Sequence, residues 1–198
     1  MAKNADIPAT CYLHDAGINY GNEIIVGSID NHINAIKNSS AGRLFDAVCA
    51  VLDLCHENSY EGECPNVLQR AAERYAETHP SASSSLRLNT YEENGQLIFD
   101  TSKLVADIEV AAQSGTSAQQ LAYEFHVALA EAISDTVRTL CDKHDVTQVA
   151  FSGGTFYNRL LLDEIFARLE DSGLKLYINE QVPSGDGGLT LGQLFLTL

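Results

Sequence analysis

Two glycine-rich corners hold most of the chemistry that the residue order offers. The first is Ser152-Gly153-Gly154, inside "VAFSGGTFYNRLLLDEIFARLEDSG" (residues 149–173), where an apolar run meets a long amphipathic segment. A helix N-terminus presents unpaired N–H groups and a partial positive charge, so it attracts anions. Glycine at such a place lets a ligand approach the backbone closely. Asn158, one turn into the expected helix, is placed to offer its amide to the same space. The second corner is "PSGDGGL", residues 183–189, again between an expected strand and an expected helix. If the two strands are parallel, both corners lie at carboxyl ends of strands, the edge where open α/β sheets bind ligands. Asp186 then faces the groove. A carboxylate beside a phosphate makes sense when it holds a divalent metal that bridges to the phosphates. Two plainer readings stay open on spacing alone: Gly-Gly as a tight turn, and Asp186 as the cap of the last helix.

The elements that would position these corners are readable by period. "VTQVAF" (146–151) reads as a buried strand, 155–171 as a helix closed by Gly173, and "KLYINEQV" (175–182) as a second strand. Strand, helix and strand with short returns imply a parallel pair. "LTLGQLFLTL" reads as a last short helix. Upstream, Leu44, Val48, Val51, Leu52 and Cys55 recur at helical spacing over 39–55, with Ser39 or Ser40 as cap. A further helix is expected to begin near Pro65. "HPSASSS" (79–85) is a loop by composition, and Asn94-Gly95 between alternating segments predicts a hairpin. Helices follow over 102–113, stopped by Gly115, and from the Ser117/Gln120 capping pattern to about His144. The first residues are less legible. "NEIIVGS" (22–28) reads as a short strand, and 28–36 as a short helix capped by Ser28.

Composition bounds the partners. The 198 residues carry 27 acidic and 12 basic side chains, a formal charge of −15. Such a surface repels nucleic acid and anionic membranes, so an anionic ligand must be held locally. The start of the chain shows no apolar stretch of the secretory kind, and no run is long enough to span a membrane. The five cysteines are an odd number without a CxxC pair, which fits free thiols in a cytoplasmic setting. Cys55, His56 and Cys64 lie close together, but their spacing matches no standard zinc site. His126, within a helix, reads as a packed or surface histidine.

With these motifs in place, the sequence resembles a known family. The segment from "VAFSGG" through "SGDGGLTLGQ", together with "SSAGRLFDAVCAVL", "NSYEGE" and "AYEFHVALAEAI" in the same order, is similar to the C-terminal end of HypF, the carbamoyltransferase of nickel–iron hydrogenase maturation. The resemblance runs over roughly residues 28–198 and leaves 1–27 as a segment of uncertain role. It implies an α/β fold, one ribonuclease-H-like lobe of the actin-like, Hsp70-like (ASKHA) ATPase fold with added helices. It implies a nucleotide, ATP or carbamoyl-adenylate, and transfer of the carbamoyl group to a C-terminal cysteine of a HypE-type acceptor. Carried over residue by residue, Ser39, Gly42 and Asp46 of "SSAGRLFD" and Gly153, Gly154 and Asn158 match nucleotide-binding positions. Asp186 matches a ligand of a divalent metal. Glu61 and Glu63 lie in a matching loop. The other domains of that family, and the first lobe with its histidine-rich motif, have no counterpart in this stretch. Asp53 stands where the family usually has glycine. The resemblance thus implies half of a catalytic site, to be completed by a first lobe or a second copy. The alternative is a stand-alone nucleotide-binding or protein-interaction module.

Overall fold

Helix caps decide much of the course of this chain. The computed structural model describes residues 3–80 and 83–197. Ser81 and Ala82, in the loop expected over 79–85, and Leu198, at the end of the last expected helix, lie outside the described residues. The chain divides into two units, one running to Ala128 and the other starting at Leu129.

The first unit contains α1 (Asp6–Asp15), α2 (Glu23–Asp30), α3 (Ala41–Val51) and α4 (Glu63–Thr78). A hairpin of β1 (Thr90–Glu93) and β2 (Gln96–Phe99) follows, then α5 (Thr101–Gln113) and the beginning of α6 (Ala118–His144). α1 packs on α2, α3 and α5, and α3 packs also on α4 and α5. Leu13, Val48, Leu68, Leu104, Ile108, Leu121 and Phe125 are fully buried there, each worth about 1.5–3 kcal/mol over exposure. Phe45 meets Phe125 edge-on, with ring centroids 5.1 Å apart. Beside them His126 is wholly buried, its Nδ1 2.7 Å from the Ala122 carbonyl, and burial holds its pKa down at about 4. It is a neutral core histidine. The Asn-Gly hairpin is as expected: Glu93 pairs with Gln96, and Asn94 and Gly95 have φ of 51° and 77°.

Two expectations in this unit fail for local reasons. Residues 23–30 are helical, where "NEIIVGS" predicts a strand. The Asn22 side-chain Oδ1 accepts from the Ile24 N–H at 2.8 Å and starts the helix, which outweighs the strand preference of the Ile-Ile-Val run. Ser28, expected as a cap, sits inside α2 and donates its hydroxyl to the Ile24 carbonyl. α4 also starts two residues ahead of Pro65, after Gly62 in the left-handed region.

The C-terminus of α3 explains the departure at position 53. The Asp53 N–H donates to the Ala50 carbonyl and the Leu54 N–H to the Cys49 carbonyl, both at 3.0 Å. That bond pair is the Schellman closure, whose first residue past the cap adopts the left-handed conformation and is usually glycine. Asp53 takes it with φ of 55°.

The second unit holds the rest of α6, β3 (Gln148–Phe151), a 3-10 turn (Gly154–Tyr157), α7 (Arg159–Leu169), β4 (Lys175–Ile178), a 3-10 turn (Asp186–Gly188) and α8 (Leu189–Phe195). β3 and β4 pair in parallel, with Gln148 opposite Lys175 and Phe151 opposite Ile178. The apolar run predicts a buried strand, but the structure buries only Phe151 of β3. Alternation explains the difference. Phe151 packs on Phe156 and on Phe166 of α7, while Gln148 and Ala150, on the other face, are exposed. Tyr177 on β4 donates to the Gln148 side chain at 3.1 Å across that open face. Parallel strands ordinarily have both faces covered. Leu161, Ile165 and Leu169 of α7 form the buried heart of this unit. Among the described residues no helix is long and apolar enough to cross a membrane.

Candidate functional site

The candidate residues fall into two groups, one in each unit. Ser39, Gly42 and Asp46 belong to the first, and Gly153, Gly154, Asn158 and Asp186 to the second.

In the second unit the two glycine corners are joined directly. The Gly153 N–H donates to the Ser184 carbonyl at 2.8 Å, and the Gly185 N–H donates to the Tyr157 hydroxyl at 3.1 Å. The N–H of Gly153, expected to face an anion, therefore holds the corners together. Four of the five glycines in these corners differ in what requires them. Gly153 has φ of 105°, which an L side chain resists. A Cβ on Gly185 would meet the Tyr157 ring at 2.7 Å, and one on Gly188 the Pro183 carbonyl at 2.3 Å. A Cβ on Gly154 would meet nothing within 4 Å. Packing gives no reason for glycine there, and the space above its backbone is open.

The helix after the first corner begins later than the sequence predicts. Ser152 and Gly153 lead into the 3-10 turn, and α7 proper starts at Arg159. Asn158 is its N-cap, where the sequence places it one turn inside. The Asn158 side-chain Oδ1 accepts from the Leu161 N–H at 3.0 Å, and the residue is buried. Its side chain is thus partly committed to starting α7.

An open cleft of about 570 Å³ lies beside the joined corners. Phe151, Tyr157, Arg159, Ile178 and Ser184 contribute to its wall, with the 179–183 segment after β4. None of the predicted residues lines it. Tyr157 and Arg159 are the residues that sequence reasoning missed. The available signal was a lone cation and a tyrosine flanking Asn158 in an acidic chain.

Asp186 is exposed in its 3-10 turn, and α8 has no side-chain cap, so the capping role finds no bond. Among the described residues no group of three or more His, Cys, Asp or Glu side chains is placed to hold a metal. One surface carboxylate alone does not make a metal site, and the residues present do not fit one.

In the first unit the α3 start is differently arranged. The residue at the α3 N-cap is Ser40, whose N–H donates to the Asn38 side chain at 2.6 Å. Ser39 is exposed one residue ahead of it. Gly42 lies in the first turn of α3. Asp46 is fully buried. Its carboxylate pairs with Arg43 at 2.6 Å and accepts from the Asn58 amide at 3.1 Å. Asn58 in turn accepts from the Cys64 N–H at 2.9 Å. Burial pushes the Asp46 carboxyl up, and Asn58 and Arg43 hold it back. Asp46 is thereby a strut between α3 and the 58–64 loop. On that loop Glu61 is exposed, and Glu63 accepts from the Ser59 hydroxyl and N–H, both at 2.6 Å. Those bonds hold the Glu63 carboxyl below its ordinary range.

The comparisons with known proteins agree on one class. The family described as "Carbamoyltransferase, Kae1-like Domain, second subdomain" matches residues 8–193. The Rhodobacter capsulatus carbamoyltransferase HypF is 33% identical over 162 residues, which are 81% of this chain and 20% of that protein. A probable carbamoyltransferase HypF of Methanocaldococcus jannaschii is 26% identical, covering 83% of this chain and 20% of its own length. For a HypF homolog of Cupriavidus necator the figures are 29%, 87% and 43%. A crystal structure of full-length HypF, in a phosphate- and nucleotide-bound form, superposes with a TM-score of 0.83 at 25% identity, over 98% of this chain and 26% of that one. A crystal structure of T. kodakarensis HypF gives a TM-score of 0.72 at 28% identity, over 88% of this chain and 21% of that one. The α/β architecture is thus that of the ASKHA-type carbamoyltransferase fold. The chain belongs to the HypF carbamoyltransferase family, as its second-subdomain member, and it spans less than half the length of these relatives.

Proposed function

We infer that the chain is the C-terminal lobe of a HypF-type carbamoyl-transfer domain, over residues 28–198, with α1 packed against its α3 and α5. It holds the phosphates of ATP or carbamoyl-adenylate at the joined corners. The observation that carries this reading is Gly154. It lies at the carboxyl edge of a parallel strand pair, in a corner fixed by the Gly153–Ser184 bond, and neither packing nor a left-handed backbone requires glycine there. Open space over a backbone corner is what a phosphate needs. Asn158 borders the same corner in the second unit, Ser39 and Gly42 of the first unit stay nucleotide-binding positions by family resemblance, and Asp46 acts by holding the 58–64 loop. Asp186 borders the site.

The reaction assigned is transfer of a carbamoyl group from carbamoyl-adenylate to the C-terminal cysteine of a HypE-type acceptor protein, in hydrogenase maturation. The lobe supplies half of that site. The uncovered β3–β4 face and the exposed Leu189, Leu194 and Phe195 of α8 support a missing cover, since parallel sheets and large apolar patches are normally covered. That cover is a first subdomain, or a second copy in the stand-alone reading. Light scattering with and without a first subdomain separates them. A heterodimer formed at the expense of self-association supports the half-site. A stable homodimer that ignores the first subdomain favours the stand-alone module, and a monomer that binds neither contradicts both.

A further inference from the structure

Three thiols of the first unit gather where α3, the 55–64 loop and α4 meet. Cys64, at the start of α4, is fully buried, and its Sγ lies 3.1 Å from the Sγ of half-buried Cys55. Cys49 of α3 is buried behind them and hydrogen-bonds Cys64. All of them are free thiols. We propose that Cys55 and Cys64 are an oxidisable pair whose disulfide fastens the 55–64 loop.

The loop has much to fasten. Its Asn58 N–H donates to the Lys3 carbonyl at 2.6 Å, the Ala5 N–H donates to the His56 carbonyl at 2.8 Å, and its Asn58 side chain meets Asp46. It also carries Glu61 and Glu63. The two sulfurs need to close by only about 1 Å to reach bonding distance. Their exposures assign an order. The half-buried Cys55 meets the oxidant first, a small disulfide of the glutathione class. Its thiolate attacks one sulfur, the small S–S bond breaks, and one small thiol leaves. The Cys64 thiol then gives its proton to water, its thiolate attacks the Cys55 sulfur, and the second small thiolate leaves and takes up a proton. Two protein thiols are oxidised and one small disulfide is reduced to two thiols. Burial pushes the Cys49 thiol up to about 12 and the Cys64 thiol up as well, so neither competes with Cys55 for the oxidant.

The test treats the folded chain with glutathione disulfide, blocks remaining thiols, and cleaves with a glutamate-specific protease. Glu57, Glu61 and Glu63 lie between the two cysteines, so the fragments stay together only through a disulfide. Linked fragments are expected from the wild type and from Cys49→Ala, and none from Cys55→Ala. Hydrogen exchange over residues 56–63 is expected to slow roughly threefold or more in the oxidised chain. A cross-link that survives Cys55→Ala, a folded wild type that gives only mixed disulfides or none, or unchanged exchange in the loop would overturn the proposal.

Discussion

The Gly153 N–H and the Ser184 carbonyl, 31 residues apart in the chain, meet at 2.8 Å and tie the two glycine corners of the second unit into one edge. Tyr157 braces the same edge from the other side through the Gly185 N–H. The corner is therefore set by the protein itself and does not await a ligand to form. This divides the labour between adjacent glycines, and their alanine variants should separate.

Gly153→Ala places a Cβ at a φ of 105°, which costs about 1–3 kcal/mol and disturbs the bond to Ser184. Gly154→Ala meets no atom within 4 Å and changes stability by less than about 1 kcal/mol. Urea unfolding of the two variants measures both. Equal losses would mean that the corner is held by something other than the Gly153 backbone.

Removing Asp46 should be the costliest polar change in the first unit. Asp46→Ala leaves Arg43 and the Asn58 amide without the carboxylate that joins them, and breaking a buried pair costs about 3–5 kcal/mol. The unfolding midpoint in urea should fall accordingly. A loss below about 1 kcal/mol would show that Asp46 is no strut.

His56 makes the stability of the first unit depend on pH. Its ring nitrogens lie 2.6 Å from Asp6 and 2.8 Å from Asp53, and these carboxylates, Asp6 first, raise its pKa. A histidine whose folded pKa is raised contributes fully below its unfolded value of about 6.5 and loses the contribution as pH rises through the folded value. His56→Gln should therefore destabilise the chain near pH 5.5 and approach wild type near pH 9, both pH values being approximate choices around that window. A constant difference across the range would remove the ion pairs from the account.

Asp53→Gly tests the helix closure and the histidine together. Glycine relieves the left-handed φ of 55°, worth up to about 1 kcal/mol, but removes one partner of His56. Thermal unfolding should show the variant more stable at alkaline pH, with the gain shrinking as the solution becomes acidic. A variant less stable than wild type at alkaline pH would contradict the closure argument.

Much of this was legible because it is local. Asn94-Gly95 carries its own backbone preference, and Ser117 accepts from the Gln120 N–H at 3.2 Å as the capping pattern implies. Gln120 itself turns to Glu124, so only half of that box forms. α2 was hidden because Ile24, Ile25 and Val26 carry strand preference while one Asn22 bond decides for helix. The capping role of Asn158 was hidden because the apolar period begins at Phe156, and the 3-10 turn that delays α7 has no sequence marker. Asp46 is named a nucleotide-binding position by the family resemblance, and its structural bond was out of reach because its partner Asn58 lies 12 positions on and burial of a carboxylate is set by tertiary packing. The joining of the corners was out of reach for the same reason.

The central claim is that the Gly154 corner holds nucleotide phosphate once the lobe has its cover. Calorimetric titration with ATP and magnesium, on the chain mixed with the first subdomain of a HypF-family protein, tests it directly. Saturable binding that weakens at least about tenfold in Gly154→Ala, with the unfolding midpoint unchanged, is the predicted result. Binding of equal strength by Gly154→Ala would contradict it and send the search to the neighbouring cleft walled by Tyr157 and Arg159.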